Sequence, residues 1–167
     1  RFAQFATPDK EVRISAVPLR NEIEKFLTLM RECQKLDKIT VENSVSPEIL
    51  VMASASGLQE IFFNLFNNAC EAMKGEGKLY LDAKENGQFV EIRMRDTGSG
   101  IPDEILPNIF EDYFTTKLNS EPVGIGLSIT KSRIERFGGS IAASRGAEGG
   151  AEFRIQLKKP LLPEQQR

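Results

Sequence analysis

Hydrophobic and polar positions follow two different periods along the chain, and these periods predict where helices and strands lie. Apolar residues recur every three or four positions in three long stretches, which predicts helices over residues 21–34, 58–74 and 127–137. Asn21 can cap the first helix, and Gly138-Gly139 can end the third. Alternation with a period of two predicts short strands near residues 12–16, 40–45, 49–53, 78–84, 88–96, 140–145 and 151–158.

The order of these elements predicts the fold class. Helices and hairpins interleave without the regular strand–helix–strand alternation of a parallel sheet, and Asn86-Gly87 marks a hairpin turn. We therefore predict an α/β (α+β) two-layer sandwich, in which a mixed, mostly antiparallel sheet of about five strands is covered on one face by about three helices. Residues 103–114 look helical in part. The first two helices are expected to bury Ile23, Phe26, Leu27, Met30, Leu58, Ile61, Phe62, Leu65, Ala69 and Met73.

Composition narrows the possible functions. The 167 residues include 22 basic and 24 acidic ones, which gives a net charge of −2. The sequence therefore lacks the excess of basic residues that is typical of nucleic-acid binding. No apolar run approaches the roughly 18 residues of a membrane helix. Cys33 and Cys70 are predicted to be buried free thiols. Because the chain has no histidine, Ser-His-Asp and Cys-His catalysis are excluded, and any metal would be a hard cation held by oxygen ligands.

A polar stripe follows one side of the helix predicted over residues 58–74. Its members Glu60, Asn64, Asn68 and Glu71 are spaced four, four and three residues apart, so they lie on one helix face. Asparagine is a poor helix former because its amide competes for backbone hydrogen bonds. Three asparagines in this one helix, Asn64, Asn67 and Asn68, therefore indicate a ligand site. A solvated helix face would show the same spacing.

An inward-facing carboxylate is predicted at the end of the strand over residues 88–96. Val90, Ile92 and Met94 share one face of this strand, and by the two-residue period Asp96 continues that face. A carboxylate there needs a hydrogen-bond donor to offset its desolvation. The motif Asp-Thr-Gly-Ser-Gly begins at this aspartate, and its glycines allow the backbone to approach another group closely. Such a motif fits a binding site, and it also fits a tight turn.

The first three residues of that motif have a second interpretation. Asp-Thr-Gly is also the signature of aspartic proteases, in which two carboxylates share a proton. Those enzymes are all-β, and an apolar run leads into their aspartate. Here Arg93 and Arg95 alternate before Asp96, and three long helices are predicted, so we reject this alternative.

Two further segments could bind phosphate. Residues 124–128, Gly-Ile-Gly-Leu-Ser, open a helix, and backbone N–H groups at a glycine-rich helix N-terminus attract anions. This segment is not a P-loop, and no strand precedes it as in a Rossmann fingerprint. Upstream, residues 110–117 place Lys117 and two threonines where they could reach phosphate oxygens. An ordinary surface loop would have the same composition.

Together and in this order, the four motifs resemble the nucleotide-binding boxes of sensor histidine kinases of the GHKL superfamily. Residues 64–69 are similar to the N box, residues 96–100 to the first glycine box, residues 110–117 to the F box and residues 124–127 to the second glycine box. The resemblance covers roughly residues 12–158 and is nearest to the nitrogen-regulator and dicarboxylate-sensor branch. It implies a Bergerat-type ATP-binding fold.

The resemblance also implies domain boundaries and a place in the cell. Residues 12–159 are expected to form the ATP-binding catalytic domain. Residues 1–11 are expected to be the end of a preceding dimerisation and phosphoacceptor helix, or a linker, and residues 160–167 a disordered tail. A cytoplasmic location is implied, without membrane contact in this part of a parent protein that could itself be membrane-anchored.

The family pattern assigns roles to individual residues. Asn68 is expected to bind Mg²⁺ through its side-chain oxygen, and Asn64 to support the metal or its waters. Asp96 is expected to accept the exocyclic amine of adenine. Lys117 is expected to contact phosphate, and Glu60 stands where a polarising acid or amide would lie. The other nucleotide contacts implied by the resemblance are Gly98, Gly100, Ile101, Thr116, Gly124, Ile125, Gly126 and Leu127.

The implied activity is phosphoryl transfer from Mg-ATP to a histidine in two-component signalling. With no histidine in the chain, the acceptor has to lie on a separate dimerisation domain, and a response-regulator receiver domain is an indirect partner. Glu71 and Ala72 stand where many members have a lysine and an aromatic residue, so we expect modest ATP affinity. Alternatives are a serine kinase or ATPase of the same superfamily, or a non-catalytic nucleotide-dependent interaction module.

Overall fold

One core joins a five-stranded sheet to three helices. The computed structural model describes residues 13–112 and 126–163. In chain order the elements are β1 (Ser15–Pro18), α1 (Leu19–Glu32), β2 (Ile39–Asn43), β3 (Leu50–Ala53), α2 (Ala55–Ala72), β4 (Gly77–Asn86), β5 (Phe89–Asp96), a 3-10 turn (Leu106–Asn108), α3 (Gly126–Arg136), β6 (Ser140–Arg145) and β7 (Ala151–Lys158).

The sheet has the order β2-β4-β5-β7-β6. Only β2 and β4 run parallel, and the other three pairs are antiparallel. Strands β1 and β3 form a separate antiparallel pair. The structure thus confirms the predicted α/β sandwich with a mixed, mostly antiparallel sheet. None of the helices in the described part of the chain could span a lipid bilayer.

The helix faces predicted to enter the core do so. All ten residues named for the first two helices are buried. The Phe26 ring of α1 packs against two rings of α2, with centroid distances of 6.0 Å to Phe62 and 5.5 Å to Phe66. Strand β5 alternates strictly between half-buried and buried positions and ends on a buried residue, Asp96. The last three elements are close to their predicted bounds, and Gly138 ends α3 with φ 77°.

The start of α1 differs from the prediction. The helix begins at Leu19, directly after Pro18, and no side chain caps it, so Asn21 lies inside the first turn and the predicted cap is wrong. A tertiary contact provides what a cap would have provided, because the Leu19 N–H donates to the Ile49 carbonyl at 3.1 Å. Burial of Leu19, which is 0% exposed, fixes this start.

Two further expectations near the N-terminus are wrong. In β1 the buried residue is Val17, and Ile14 is exposed, so the strand faces the core one residue out of phase with the alternation read from residues 12–16. Cys33 is exposed at the end of α1, whereas Cys70 is half-buried. Both cysteines are free thiols, as predicted.

Of the partly helical segment expected at 103–114, the described part forms only the short 3-10 turn.

Helix α2 has well-defined ends, which matters because it carries the asparagines. At its start the Ser54 hydroxyl accepts from the Gly57 N–H at 3.0 Å. At its end the Gly75 N–H donates to the Cys70 carbonyl at 2.9 Å, and Lys74 has φ 56°. A left-handed residue after a helix is usually glycine, because a Cβ atom is strained there. Lys74 therefore occupies a strained position.

We predict that Lys74→Gly stabilises the domain. The left-handed conformation costs a non-glycine residue about 1–2 kcal/mol, and glycine removes this cost. The greater chain entropy of glycine in the unfolded state offsets part of the stabilisation. The net increase in the free energy of unfolding should be about 0.5–1 kcal/mol, measured by urea denaturation. Lys74→Ala removes the same charge and keeps the Cβ atom, so it should leave stability unchanged. If both variants changed the free energy of unfolding equally, the backbone of Lys74 would not be strained.

Candidate functional site

The Asp96 side chain lies at the end of β5, against the first residue of β7. It is 7% exposed. Its Oδ1 atom accepts from the Gly98 N–H at 2.8 Å and from the Ala151 N–H at 3.3 Å. Burial raises the pKa of the Asp96 carboxyl, and these two hydrogen bonds lower it only in part. Because both described donors reach the same oxygen, Oδ2 is the atom to which a ligand amine could donate.

Glycines bring three backbone segments together around this carboxylate. A Cβ atom on Gly98 would lie 2.6 Å from the carbonyl group of Ala72. One on Gly100, whose φ is 79°, would lie 2.5 Å from the Gly149 carbonyl oxygen, and one on Gly150 would overlap the Asp96 carbonyl oxygen. The close backbone approach predicted at the glycines of the first glycine box is therefore confirmed. The groups that these glycines approach belong to other segments of the same chain. The role of Gly150 was not predicted, although the Gly149-Gly150 pair was visible in the last hairpin.

The loop after β5 is fastened to the C-terminal end of α2. The Ser99 N–H donates to the Ala72 carbonyl at 3.2 Å. The Thr97 hydroxyl accepts from the Lys78 N–H at 2.9 Å and lies 3.7 Å from the Met73 sulfur. These contacts fix the position of the carboxylate-bearing loop relative to the asparagine-bearing helix.

Two asparagines of α2 make directed hydrogen bonds with their amide groups. The Asn68 Nδ2 atom donates to the Asn64 carbonyl at 3.1 Å. The Asn64 Nδ2 atom donates to the Thr130 hydroxyl at 3.1 Å and approaches the Gly126 carbonyl at 3.4 Å. Since only an NH₂ group can donate to a carbonyl oxygen, the Asn68 Oδ1 atom is directed away from the helix backbone. Its chemistry suits a hard cation such as Mg²⁺.

Several predicted site residues are brought together by these contacts. Asn68 lies one turn before Ala72, on which the first glycine box rests, and Asn64 reaches Gly126 at the start of α3. Burial and, to a smaller extent, the Asp96 carboxylate raise the pKa of the Cys70 thiol to about 11, with Lys35 opposing them. The loop that follows Asp96 is connected to the same helix at the Ala72 carbonyl.

Other predicted residues stand in different surroundings. Glu60 forms an ion pair with Arg133 of α3 and lies eight residues before Asn68, which is about 12 Å along the helix axis. Ile101 and Leu127 are half-buried against the core. Phe110, the first residue of the F box, packs edge-on against Phe153 at 6.4 Å. Thr116, Lys117, Gly124 and Ile125 lie outside the described residues.

Comparison with known proteins adds to this geometry. The family model described as "Histidine kinase-, DNA gyrase B-, and HSP90-like ATPase" matches residues 53–161. The chain is 40% identical over 111 residues to the sensor protein FixL of Bradyrhizobium diazoefficiens, covering 65% of this chain and 22% of FixL. It is 33% identical over 147 residues to the sensor histidine kinase ZraS of Escherichia coli O157:H7, covering 86% of this chain and 31% of ZraS.

Solved structures give the same result. The catalytic domain of the histidine kinase ThkA superimposes with a TM-score of 0.78 at 26% identity, covering 88% of this chain and 96% of that domain. ThkA in complex with the response regulator TrrA superimposes with a TM-score of 0.73 at 26% identity, covering 95% of this chain and 46% of that one.

The fold and the matched family model define an ATPase domain of the histidine kinase, DNA gyrase B and HSP90 type, and the chain belongs to that family. Within it, the chain is a GHKL ATP-binding domain of the sensor histidine kinase group. It spans only 22% to 31% of the length of the FixL and ZraS relatives.

The raised pKa of Asp96 predicts how stability depends on pH. Because folding raises this pKa above its ordinary value of 3.8, the favourable contribution of Asp96 is present below that pH and is lost as pH rises through the folded value. Asp96→Asn does not titrate, and its amide oxygen can accept from the same two N–H groups. The variant should therefore be more stable than wild type at pH 7, and the difference should shrink towards pH 4.

Urea denaturation at both pH values tests this expectation. Asp103→Asn, which changes an exposed aspartate, is the matched control and should show a much smaller difference. An Asp96→Asn variant that is less stable than wild type at pH 7 would contradict the stated cost of burying the carboxylate.

Proposed function

We propose that this domain binds Mg-ATP and transfers the γ-phosphoryl group to a histidine on a separate dimerisation domain, in two-component signalling. The observation that carries the proposal is the buried Asp96 carboxylate, which is fixed through one oxygen and is followed by a loop that is hydrogen-bonded to the C-terminal end of α2. The names of the FixL and ZraS relatives as sensor proteins support the signalling role. The ThkA complex supports a response regulator as the downstream partner.

Asp96 accounts for recognition of the base. An ionised carboxylate only accepts hydrogen bonds, so its free oxygen suits the exocyclic amine of adenine. Guanine presents a carbonyl oxygen at the corresponding position, which would face the carboxylate without a proton between them. The site should therefore bind ATP in preference to GTP.

Asn68 is the proposed protein ligand of the metal. Magnesium is commonly bound through one or two protein oxygens together with substrate phosphates and water. Among residues 13–112 and 126–163, no group of three or more carboxylate, thiol or imidazole side chains converges to form a metal site of its own. A single amide ligand on α2 therefore fits a metal that arrives with the nucleotide. When bound, the ion would neutralise charge on the transferred phosphoryl group.

The phosphoacceptor has to come from outside the chain, since the sequence contains no histidine. In the proposed reaction the bond from the γ-phosphorus to the bridging oxygen breaks, a phosphorus–nitrogen bond forms to the imidazole, and ADP leaves. Lys117 and Thr116 remain the proposed phosphate contacts. Glu60 would have to leave Arg133 before it could polarise the acceptor, so its proposed catalytic role has the weakest support in the contacts.

The proposal also places the domain in the cytoplasm, where ATP is available. Two free thiols are in keeping with a reducing compartment. An ATPase or serine kinase of the same superfamily is the alternative function. Against the ATPase stands the residue one turn before Asn68, because superfamily ATPases tend to carry an acid there and this chain carries Asn64.

Asn68→Ala removes the proposed metal ligand and should weaken Mg-ATP binding by at least roughly tenfold. Binding of ADP without Mg²⁺ should change far less, because the base contacts are intact. Calorimetry with both ligands measures the two effects. Asn67→Ala is the matched control, since it removes the neighbouring asparagine of the same helix. Equal losses of Mg-ATP and metal-free ADP affinity in Asn68→Ala would argue against the metal role.

Transfer to histidine is tested with radiolabelled ATP and a sensor-kinase dimerisation domain, such as that of the FixL relative. We expect label on the dimerisation domain that is stable to alkali and labile to acid, as a phosphorus–nitrogen bond is. Replacing the acceptor histidine by glutamine should abolish the label. Acid-stable label on serine, or release of free phosphate alone, would favour the alternative function.

A further inference from the structure

A threonine hydroxyl is buried between α2 and α3. Thr130 is 0% exposed. Its Oγ1 atom donates to the Gly126 carbonyl at 2.7 Å and accepts from the Asn64 Nδ2 atom at 3.1 Å. Burying a hydroxyl without partners is costly, and valine has almost the same shape without that requirement. Packing alone therefore does not explain threonine at this position.

The Thr130 hydroxyl contacts Asn64, which lies one turn before the proposed metal ligand Asn68. The Asn64 amide is held by α3 through its nitrogen, at the Thr130 hydroxyl and the Gly126 carbonyl. One turn further along α2, the Asn68 nitrogen is held by the Asn64 backbone carbonyl. Thr130 thus holds the Asn64 side chain, whereas the Asn68 amide is held separately by the helix backbone.

These hydrogen bonds determine which atoms of the two asparagines remain for a ligand. An amide is planar, so fixing its nitrogen also fixes the direction of its oxygen. With their nitrogens engaged inside the protein, Asn64 and Asn68 offer Oδ1 atoms, which are the atoms a hard cation or its waters would contact. A site held in its binding geometry before the ligand arrives loses less entropy on binding.

We propose that Thr130 is a positioning residue for Mg-nucleotide binding, which fixes the Asn64 amide so that its Oδ1 atom can hold the waters of a metal bound at Asn68. The inference rests on the proposed function, in which Asn68 is the metal ligand. It adds a role for a residue of α3 that touches neither metal nor nucleotide. It also assigns the amide nitrogen of Asn64 to a helix–helix contact, and leaves only its oxygen for the metal's waters.

Thr130→Val and Thr130→Ser separate positioning from packing. Valine keeps the volume and removes the hydroxyl, so Mg-ATP affinity should fall by roughly three- to tenfold while metal-free ADP affinity changes less than about twofold. Serine keeps the hydroxyl and leaves a small cavity, so it should unfold at a lower temperature and still bind Mg-ATP about as tightly as wild type. Calorimetry and thermal unfolding give both readouts. Equal losses for the two nucleotides in Thr130→Val, or no recovery with serine, would overturn the proposal.

The path through Asn64 has its own test. If Thr130 acts only through that amide, Thr130→Val should cause no additional loss of Mg-ATP affinity in an Asn64→Ala background. Additive losses in the double variant would mean that Thr130 acts by another route, and would overturn the proposed path.

A measurement without metal or nucleotide distinguishes failure of this inference from failure of the proposed function. In Thr130→Val the side-chain amide NMR resonances of Asn64 should shift, whereas those of Asn67 should not. Unchanged Asn64 resonances would contradict the inference even if wild type binds Mg-ATP. A wild-type domain that binds no Mg-ATP would instead contradict the proposed function, and the amide spectra would then decide alone whether Thr130 positions Asn64.

Discussion

The Asp96 carboxylate is removed from water at the apolar end of β5, and the backbone around it is arranged to offset that cost. Its donors come from Gly98, in the loop that follows, and from Ala151, at the start of β7. Gly150 has to lack a side chain for β7 to come this close. The loop then turns back onto the Ala72 carbonyl, which ties the position of α2 to that of the carboxylate. One buried charge thus sets the spacing of sheet, loop and helix.

Helix α2 serves the core and the site with opposite faces. Its apolar face contributes Leu65 and Phe66, both 0% exposed, to the interior. Its polar face holds the two asparagines, whose amide nitrogens are engaged by backbone and by α3. Because the core fixes the rotation of the helix, it also fixes where the asparagine oxygens point. The stability of the fold and the geometry of the site are therefore coupled through one element, although the buried carboxylate itself opposes stability at neutral pH.

Periodicity was sufficient to predict most of the fold and the inward direction of Asp96. These features depend on local repeats of two or 3.6 residues, which a single sequence displays directly. What it could not display were contacts between distant segments. The start of α1 depends on the Ile49 carbonyl, and the partner of Glu60 is Arg133, 73 residues later. Thr130 looks like any residue of an amphipathic helix until Asn64 is placed opposite it.

If Asp96 binds the adenine of Mg-ATP, as proposed, calorimetric titration of ATP and GTP into wild type and Asp96→Asn should show it. Wild type should bind ATP in preference to GTP and more tightly with Mg²⁺. Asp96→Asn should lose about 1–3 kcal/mol of ATP binding, because an acceptor for the amine is replaced by a donor. Unchanged ATP affinity in the variant, or equal affinity of wild type for both nucleotides, would show that Asp96 does not recognise the adenine base.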